Sequence, residues 1–177
     1  RRVARSWRGH GSRRWRVIRS IWARCSARMI SWQVIGCMAA MMAKKQRGKQ
    51  VISSVGGLKL PTVDIFIAGY QDGAKACNPG IQVLNGYSQD FVAQDKCKEI
   101  ALNQIAQGSQ VVFAVAGGCG LGALDAAKEK GKWGVGVDKD QSDLAPHILT
   151  SAVKRVDTSV FDTVKAVALE LCPKLGV

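Results

Sequence analysis

A chain of 177 residues has room for one domain with a real core, or one domain plus a tail. Its net charge of +13 would suggest a nucleic-acid or membrane partner, but residues 1–32 hold ten arginines, no lysine and no acid, which leaves only +3 for residues 33–177. The main body is therefore nearly neutral, and the basicity belongs to the N-terminal stretch.

That stretch, "RRVARSWRGHGSRRWRVIRSIWARCSARMISW", also holds four of the five tryptophans, Trp7, Trp15, Trp22 and Trp32. Arginine interleaved with tryptophan can bind nucleic acid or an anionic membrane, but no helix-turn-helix, zinc-finger or RNA-binding signature accompanies it. A secretory signal needs an apolar run before a cleavage site, and none stands there. "VIGC", ending at Cys37, imitates a lipobox, yet its apolar stretch "MAAMMA" follows the cysteine and basic sequence precedes it. The favoured expectation is that residues 1–32 have no evolved fold, as a disordered tail or out-of-frame translation, and that residues 33–177 form a single α/β lobe.

From residue 49 the chain alternates strand and helix. "KQVISSVGG" reads as a buried strand, "VDIFIAGYQDGAKAC" as a helix stopped by Asn78-Pro79-Gly80, and "IQVLNGYS" as the next strand. "DKCKEIALNQIAQG" reads as a helix with Asp95 as N-cap and Gly108 just past its end. "VVFAVA" is an apolar strand, and "LGALDAAKEKG" a helix with lysines in its last turn, where the helix dipole favours them. "WGVGVD" and "HILTSAV" are further strands, and "TSVFDTVKAVALEL" is a closing amphipathic helix. Such alternation implies a mostly parallel sheet covered by helices on both faces. The six cysteines, at 25, 37, 77, 97, 119 and 172, form no C-x-x-C and lie far from His10 and His147, so zinc is not expected and scattered free thiols are.

In a parallel α/β sheet, ligands sit beyond the carboxyl ends of the strands. Those ends offer Gly56 and Gly57, then Asp90 and Phe91, then "GGCGLG" from Gly117, then Asp138 with Asp140 and Gln141, and last Lys154. Gly118, Gly120 and Ala123 fit G-x-G-x-x-A, and Asp138 falls 18 residues after Gly120, so a dinucleotide-binding oxidoreductase is one reading. Against it, such fingerprints occupy the first βαβ unit of their fold and this one is the third. No G-K-[ST] follows the glycines, which excludes a P-loop. No G-x-S-x-G or H-E-x-x-H supports hydrolysis. His147 reads as a loop residue, and Asp138 with Asp140 as a solvated turn rather than a metal pair.

The segments "FIAGYQDGAKACNPGIQVLNGYSQDF", "GSQVVFAVAGGCGLGALDAAKEKGKWGVGVDKDQ" and "HILTSAVKRVDTSVFDTVK", in that order, resemble the basic membrane protein family, the PnrA-like substrate-binding components of ABC transporters. The resemblance runs from about residue 33 to residue 167 and places "VIGCMAAMMAKK", with Cys37, in an internal helix. It implies a type I periplasmic-binding-protein-like lobe of a two-lobed, non-catalytic protein that closes on a purine nucleoside or a similar small ligand and delivers it to a membrane permease. It also implies a periplasmic or membrane-associated, often lipid-anchored location, a monomer, no cofactor and no nucleic-acid partner.

By the resemblance, Phe91 stacks on the base, Gly117 and Asp138 contact the ribose, and Lys154 also reaches the sugar. The chemistry is coherent. Vicinal hydroxyls suit a carboxylate acceptor and an ammonium donor, glycine lets backbone N–H groups approach, and aromatic stacking contributes ~1 to 3 kcal/mol. Residues 1–32 show no trace of the family's first lobe and its usual ending is not seen, so the expectation is a truncated protein holding most of one lobe. A third reading joins a ligand-sensing lobe to a DNA-binding arm.

Overall fold

A computed structural model describes residues 31–46 and 48–175. Its elements are helix α1 (Ser31–Lys45), strand β1 (Val51–Gly56), α2 (Pro61–Cys77), β2 (Gln82–Tyr87), α3 (Gln94–Ala106), β3 (Ser109–Val115), α4 (Gly120–Glu129), β4 (Trp133–Asp138), β5 (Ile148–Val153) and α5 (Val156–Leu175). The five strands form one sheet in the order β2-β1-β3-β4-β5, and every neighbouring pair is parallel. The expected α/β lobe is thus present. Helix α1 starts at Ser31, so Ser31 and Trp32 belong to the fold; the expectation for residues 1–30 lies outside the described residues.

The period of two along a strand sends alternate side chains to opposite faces. In β3, Val111 and Phe113 join the core under α1 and α2, while Val112 and Ala114 join the core under α3 and α4. Both faces are covered, which is why β3 reads as an unbroken apolar run. Strand β1 is central and fully buried despite two serines. Each serine is satisfied: Ser53 Oγ lies 2.8 Å from Ser109 Oγ, and Ser54 Oγ donates to Asn85 Oδ1 at 2.9 Å.

The helices on each face are joined in the same way. A Cβ on Gly36 would lie 1.9 Å from the Tyr70 carbonyl oxygen, and one on Gly73 would lie 1.9 Å from that of Gln33, so α1 and α2 touch backbone to backbone. On the other face a Cβ on Gly122 of α4 would lie 1.9 Å from the carbonyl oxygen of Gln94 at the start of α3. Each pair also carries a disulfide, Cys37–Cys77 between α1 and α2, and Cys97–Cys119 between α3 and the residue before α4. The expectation of free thiols is therefore corrected for these four residues. Close helix packing brings their Cα atoms to 5.3 Å and 5.6 Å although they stand 40 and 22 residues apart. In the chain-entropy account, bonds closing loops of those sizes contribute roughly 3 to 4 kcal/mol each.

Two further expectations change. The N-cap of α3 is Ala93, and Asp95 lies in the first turn. The carboxylate that serves the helix start is that of Asp90, which accepts from Val92 N–H at 2.8 Å and Ala93 N–H at 3.1 Å. Gly108 does follow the helix, at φ +113°. The closing helix α5 is amphipathic, but its apolar residues Val156, Val160, Phe161, Val164 and Val167 are all exposed rather than buried.

The glycine contacts make a testable statement. Alanine is the better helix former by about 1 kcal/mol, so Gly73→Ala would stabilise a free-standing helix. Here the overlap with Gln33 backbone should dominate, and Gly73→Ala should destabilise the lobe by about 1 to 3 kcal/mol in urea unfolding. A gain in stability would mean that α1 and α2 do not pack as described.

Candidate functional site

In the order β2-β1-β3-β4-β5, the direction in which strands are added reverses about β1: the connection from β1 leads outward to β2, and the next strand, β3, lies on the other side. The crevice of such a fold lies at the carboxyl ends of β1 and β3. Those ends are Gly56-Gly57 and Ala116-Gly117, joined by a hydrogen bond from Gly57 N–H to Val115 O at 3.0 Å.

Phe91 reaches this point from the loop after β2. Its ring lies against Gly57, where a Cβ would come within 2.3 Å of the ring edge. Its carbonyl oxygen accepts from Cys119 N–H at 2.9 Å, and lies 3.4 Å from where Cβ atoms on Gly117 and Gly118 would stand. Gly117 adopts φ +55°, which lets the loop turn back over β3 without a side chain. The structure therefore brings Phe91 and Gly117 together.

The Phe91 loop is pinned at several points. Ser88 N–H and Gln89 N–H extend the β2–β1 ladder to Gly56 O at 2.9 Å and Gly57 O at 3.1 Å. Ser88 Oγ donates to Asp90 O at 2.8 Å. The N–H groups of Val92 and then Ala93, with Lys96 3.1 Å away, hold the Asp90 carboxyl down at about 2. Asp90 is thus occupied with its own loop.

Asp138 and Lys154 form the second group. Lys154 Nζ lies 2.9 Å from Asp138 Oδ1, Lys154 N–H donates to Asp138 O at 2.9 Å, and both side chains are about half exposed. Such an ion pair in water contributes about 0 to 1 kcal/mol, so a ligand can compete for either partner. Lys154 Nζ also stands 5.1 Å from the centroid of the Phe66 ring, within the range of a cation–π contact, and Phe66 is backed by Trp32 at 3.9 Å.

Asp138 has φ +69°, and Lys139 N–H donates across it to Val137 O at 2.9 Å, so it sits at the centre of a tight three-residue turn. Gln141 lies beneath the turn, accepting from Val137 N–H at 3.0 Å through Oε1, while its own N–H donates to Ser151 Oγ at 3.0 Å. Gly136 leaves room for both, since a Cβ there would stand 2.4 Å from Gln141 Oε1 and 2.7 Å from Ser151 Oγ. Phe66, Trp32, Gln141 and Ser151 were not singled out in the sequence for these roles. The signal available was slight: an aromatic two residues after Asp64 in the helix and a glutamine shortly after "GVD".

At the β1–β2 end, Tyr87 O–H donates to Asp64 Oδ1 at 2.6 Å. Burial first, and then the bond to Asp64, push the phenol above its ordinary value. His147 precedes β5, with Nε2 3.0 Å from Leu124 O, and burial pushes its pKa down. Asp140 accepts from Ser142 N–H at 3.0 Å, within its own exposed turn.

Phe91, Gly117, Asp138 and Lys154 thus lie in order along one edge of the sheet. The family model described as ABC transporter substrate-binding protein, PnrA-like, matches residues 34–170. The chain belongs to this family. Basic membrane protein B of Borreliella afzelii (strain PKo) is 35% identical over 127 residues, covering 70% of this chain and 37% of that protein. The CD4+ T-cell-stimulating antigen of Listeria monocytogenes serovar 1/2a (strain ATCC BAA-679 / EGD-e) is 35% identical over 146 residues, covering 73% of this chain and 40% of that protein.

Among solved structures, a solute-binding protein of an ABC transporter system from Aeropyrum pernix K1 superimposes with a TM-score of 0.69 at 26% identity, over 78% of this chain and 41% of that one. The PnrA-like chain thus spans about 40% of the length of these relatives. The fold is that of a periplasmic binding protein of ABC transporters.

The dinucleotide reading is not favoured in this family, and the geometry gives a reason. A pyrophosphate would need the N–H groups at the start of α4. The Cys119 N–H is already given to Phe91 O, and Gly120 and Leu121 N–H to Gly117 O and Gly118 O.

One prediction concerns Asp90. Its carboxyl falls from the ordinary 3.8 to about 2 on folding, so its stabilising contribution is present above pH 4 and is lost as pH falls towards 2. Asp90→Asn should flatten that part of the stability–pH curve. An unchanged curve would show that Asp90 does not hold the Phe91 loop.

Proposed function

We propose that this chain is part of an exported, non-catalytic, monomeric receptor that binds a purine nucleoside or a similar small ligand and hands it to an ABC permease. The observation that carries the reading is the row of unlike groups along one edge: an aromatic ring, a side-chain-free loop, then a carboxylate and an ammonium in mutual contact. Phe91 takes the base. Gly117 lets the sugar approach the backbone, and Asp138 and Lys154 bond the ribose hydroxyls.

Electrostatics narrow the ligand class. Asp138 and Lys154 neutralise one another at 2.9 Å, so the edge offers paired acceptor and donor without excess charge. That suits neutral hydroxyls. A nucleotide phosphate would meet the Asp138 carboxylate, and the N–H at Cys119 is already taken.

Two disulfides support export, because such bonds persist mainly in oxidising compartments. Among the described residues no helix is long and apolar enough to cross a membrane. A binding protein buries about 70 to 90% of a small ligand, and one lobe supplies one side of that enclosure. Affinity of this chain alone should therefore be weak.

Amide chemical shifts read weak binding directly. Adenosine at millimolar concentration should move the Phe91, Gly117 and Asp138 resonances, ribose should move only the last two, and NAD should act less strongly than adenosine. Asp138→Asn keeps a residue tolerant of positive φ but removes the charge, and should remove the response to ribose. Tighter binding of NAD than of adenosine, or adenosine shifts confined to another face, would overturn the reading.

A further inference from the structure

The Cys97–Cys119 disulfide lies directly beneath the ligand edge. Both cysteines are fully buried. Cys119 directly follows the Gly117-Gly118 turn, and its N–H is the one that holds the Phe91 carbonyl. Its Sγ lies 3.3 Å from Ser88 Oγ, the hydroxyl that grips the Asp90 peptide. Cys97 lies in α3, whose start is served by the Asp90 carboxylate. One covalent bond therefore meets the glycine loop from below and closes a circuit through α3 to the Phe91 loop.

The other disulfide has no such place. Cys37–Cys77 joins α1 to the last residue of α2, and α2 leads into the amino-terminal end of β2, at the opposite edge of the sheet. The two bonds close loops of comparable size, so their effects on the unfolded chain are similar. They differ in what they hold in the folded one.

We propose that Cys97 and Cys119 are positioning residues: their bond fixes the Gly117 loop against the Phe91 loop and so sets the spacing between the sugar-binding and base-binding contacts. The bond presets that spacing before ligand arrives, which lowers the ordering cost of binding. The ligand part of this statement rests on the function proposed above, while the coupling of the two loops does not.

The test compares C97A/C119A with C37A/C77A. Hydrogen exchange at the residue 119 amide reports the bond to Phe91 in ligand-free protein, and urea unfolding reports global stability. Once each rate is corrected for global stability, exchange at residue 119 should rise at least about tenfold in C97A/C119A and stay unchanged in C37A/C77A, a difference that a staple acting only on the unfolded state would not produce. Adenosine-induced shifts at Phe91 and Gly117 should fade in C97A/C119A, while ribose-induced shifts at Asp138 remain.

Equal corrected exchange in the two variants would overturn the proposal. A second variant, C97A/C119S, keeps a hydrogen-bonding group beside Ser88. If neither it nor C97A/C119A folds while C37A/C77A does, the proposal also falls, since the bond would then be holding the whole lobe. Absence of any adenosine response in the unsubstituted protein would fell the nucleoside reading, and the exchange comparison would still decide the coupling of the loops.

Discussion

Where Gly73 of α2 meets α1, a methyl group would stand 1.9 Å from the Gln33 carbonyl oxygen. Gly36 makes the reciprocal contact with Tyr70, and Gly122 the equivalent one with Gln94 on the other face. These approaches set how closely the helices lie on each other. Tyr70 can then pack its ring against Phe113 at 4.9 Å, and the small residues Ala123, Ala126 and Ala127 can fill the space under α4. The same closeness brings each cysteine pair within bonding range. The start of α4 is thereby held against α3, and the loops above inherit that position.

The alignment of the candidate residues follows from parallel topology. Every strand ends on the same side, so a residue that follows a strand in sequence lies at that edge in space. This is why strand boundaries alone place Phe91, Gly117, Asp138 and Lys154 at that edge, while their choice as ligand contacts came from the family resemblance. Short apolar runs and glycine stops mark those boundaries, and the helix between β3 and β4 was bounded by Gly120 and Gly131 much as its composition suggests.

What could not be read depends on contacts between distant segments. Gly36, Gly73 and Gly122 look in sequence like residues that weaken helices, because the carbonyl each one admits belongs to another helix. Cysteine spacing does not state partners, so Cys37–Cys77 and Cys97–Cys119 went unseen. Asp95 fitted the local rule for an N-cap, yet Asp90 reaches the helix start because the loop folds back under Ser88. The stripe from Val156 to Val167 has the period of a buried helix face, and only the three-dimensional structure shows it facing outward. The pairing of Asp138 with Lys154 is of the same kind: 16 residues separate them, and the register that sets Asp138 opposite Val153 brings them together.

The turn at Asp138 has a consequence for how the lobe would evolve. A side chain at φ +69° costs about 1 kcal/mol or more, and glycine would relieve it. Selection for heat resistance alone would thus favour glycine at position 138 and strip the edge of its acid. On the role proposed for it above, selection for ligand capture would keep the strained aspartate. Survival on heating and the sugar-binding role proposed for Asp138 would pull this position in opposite directions.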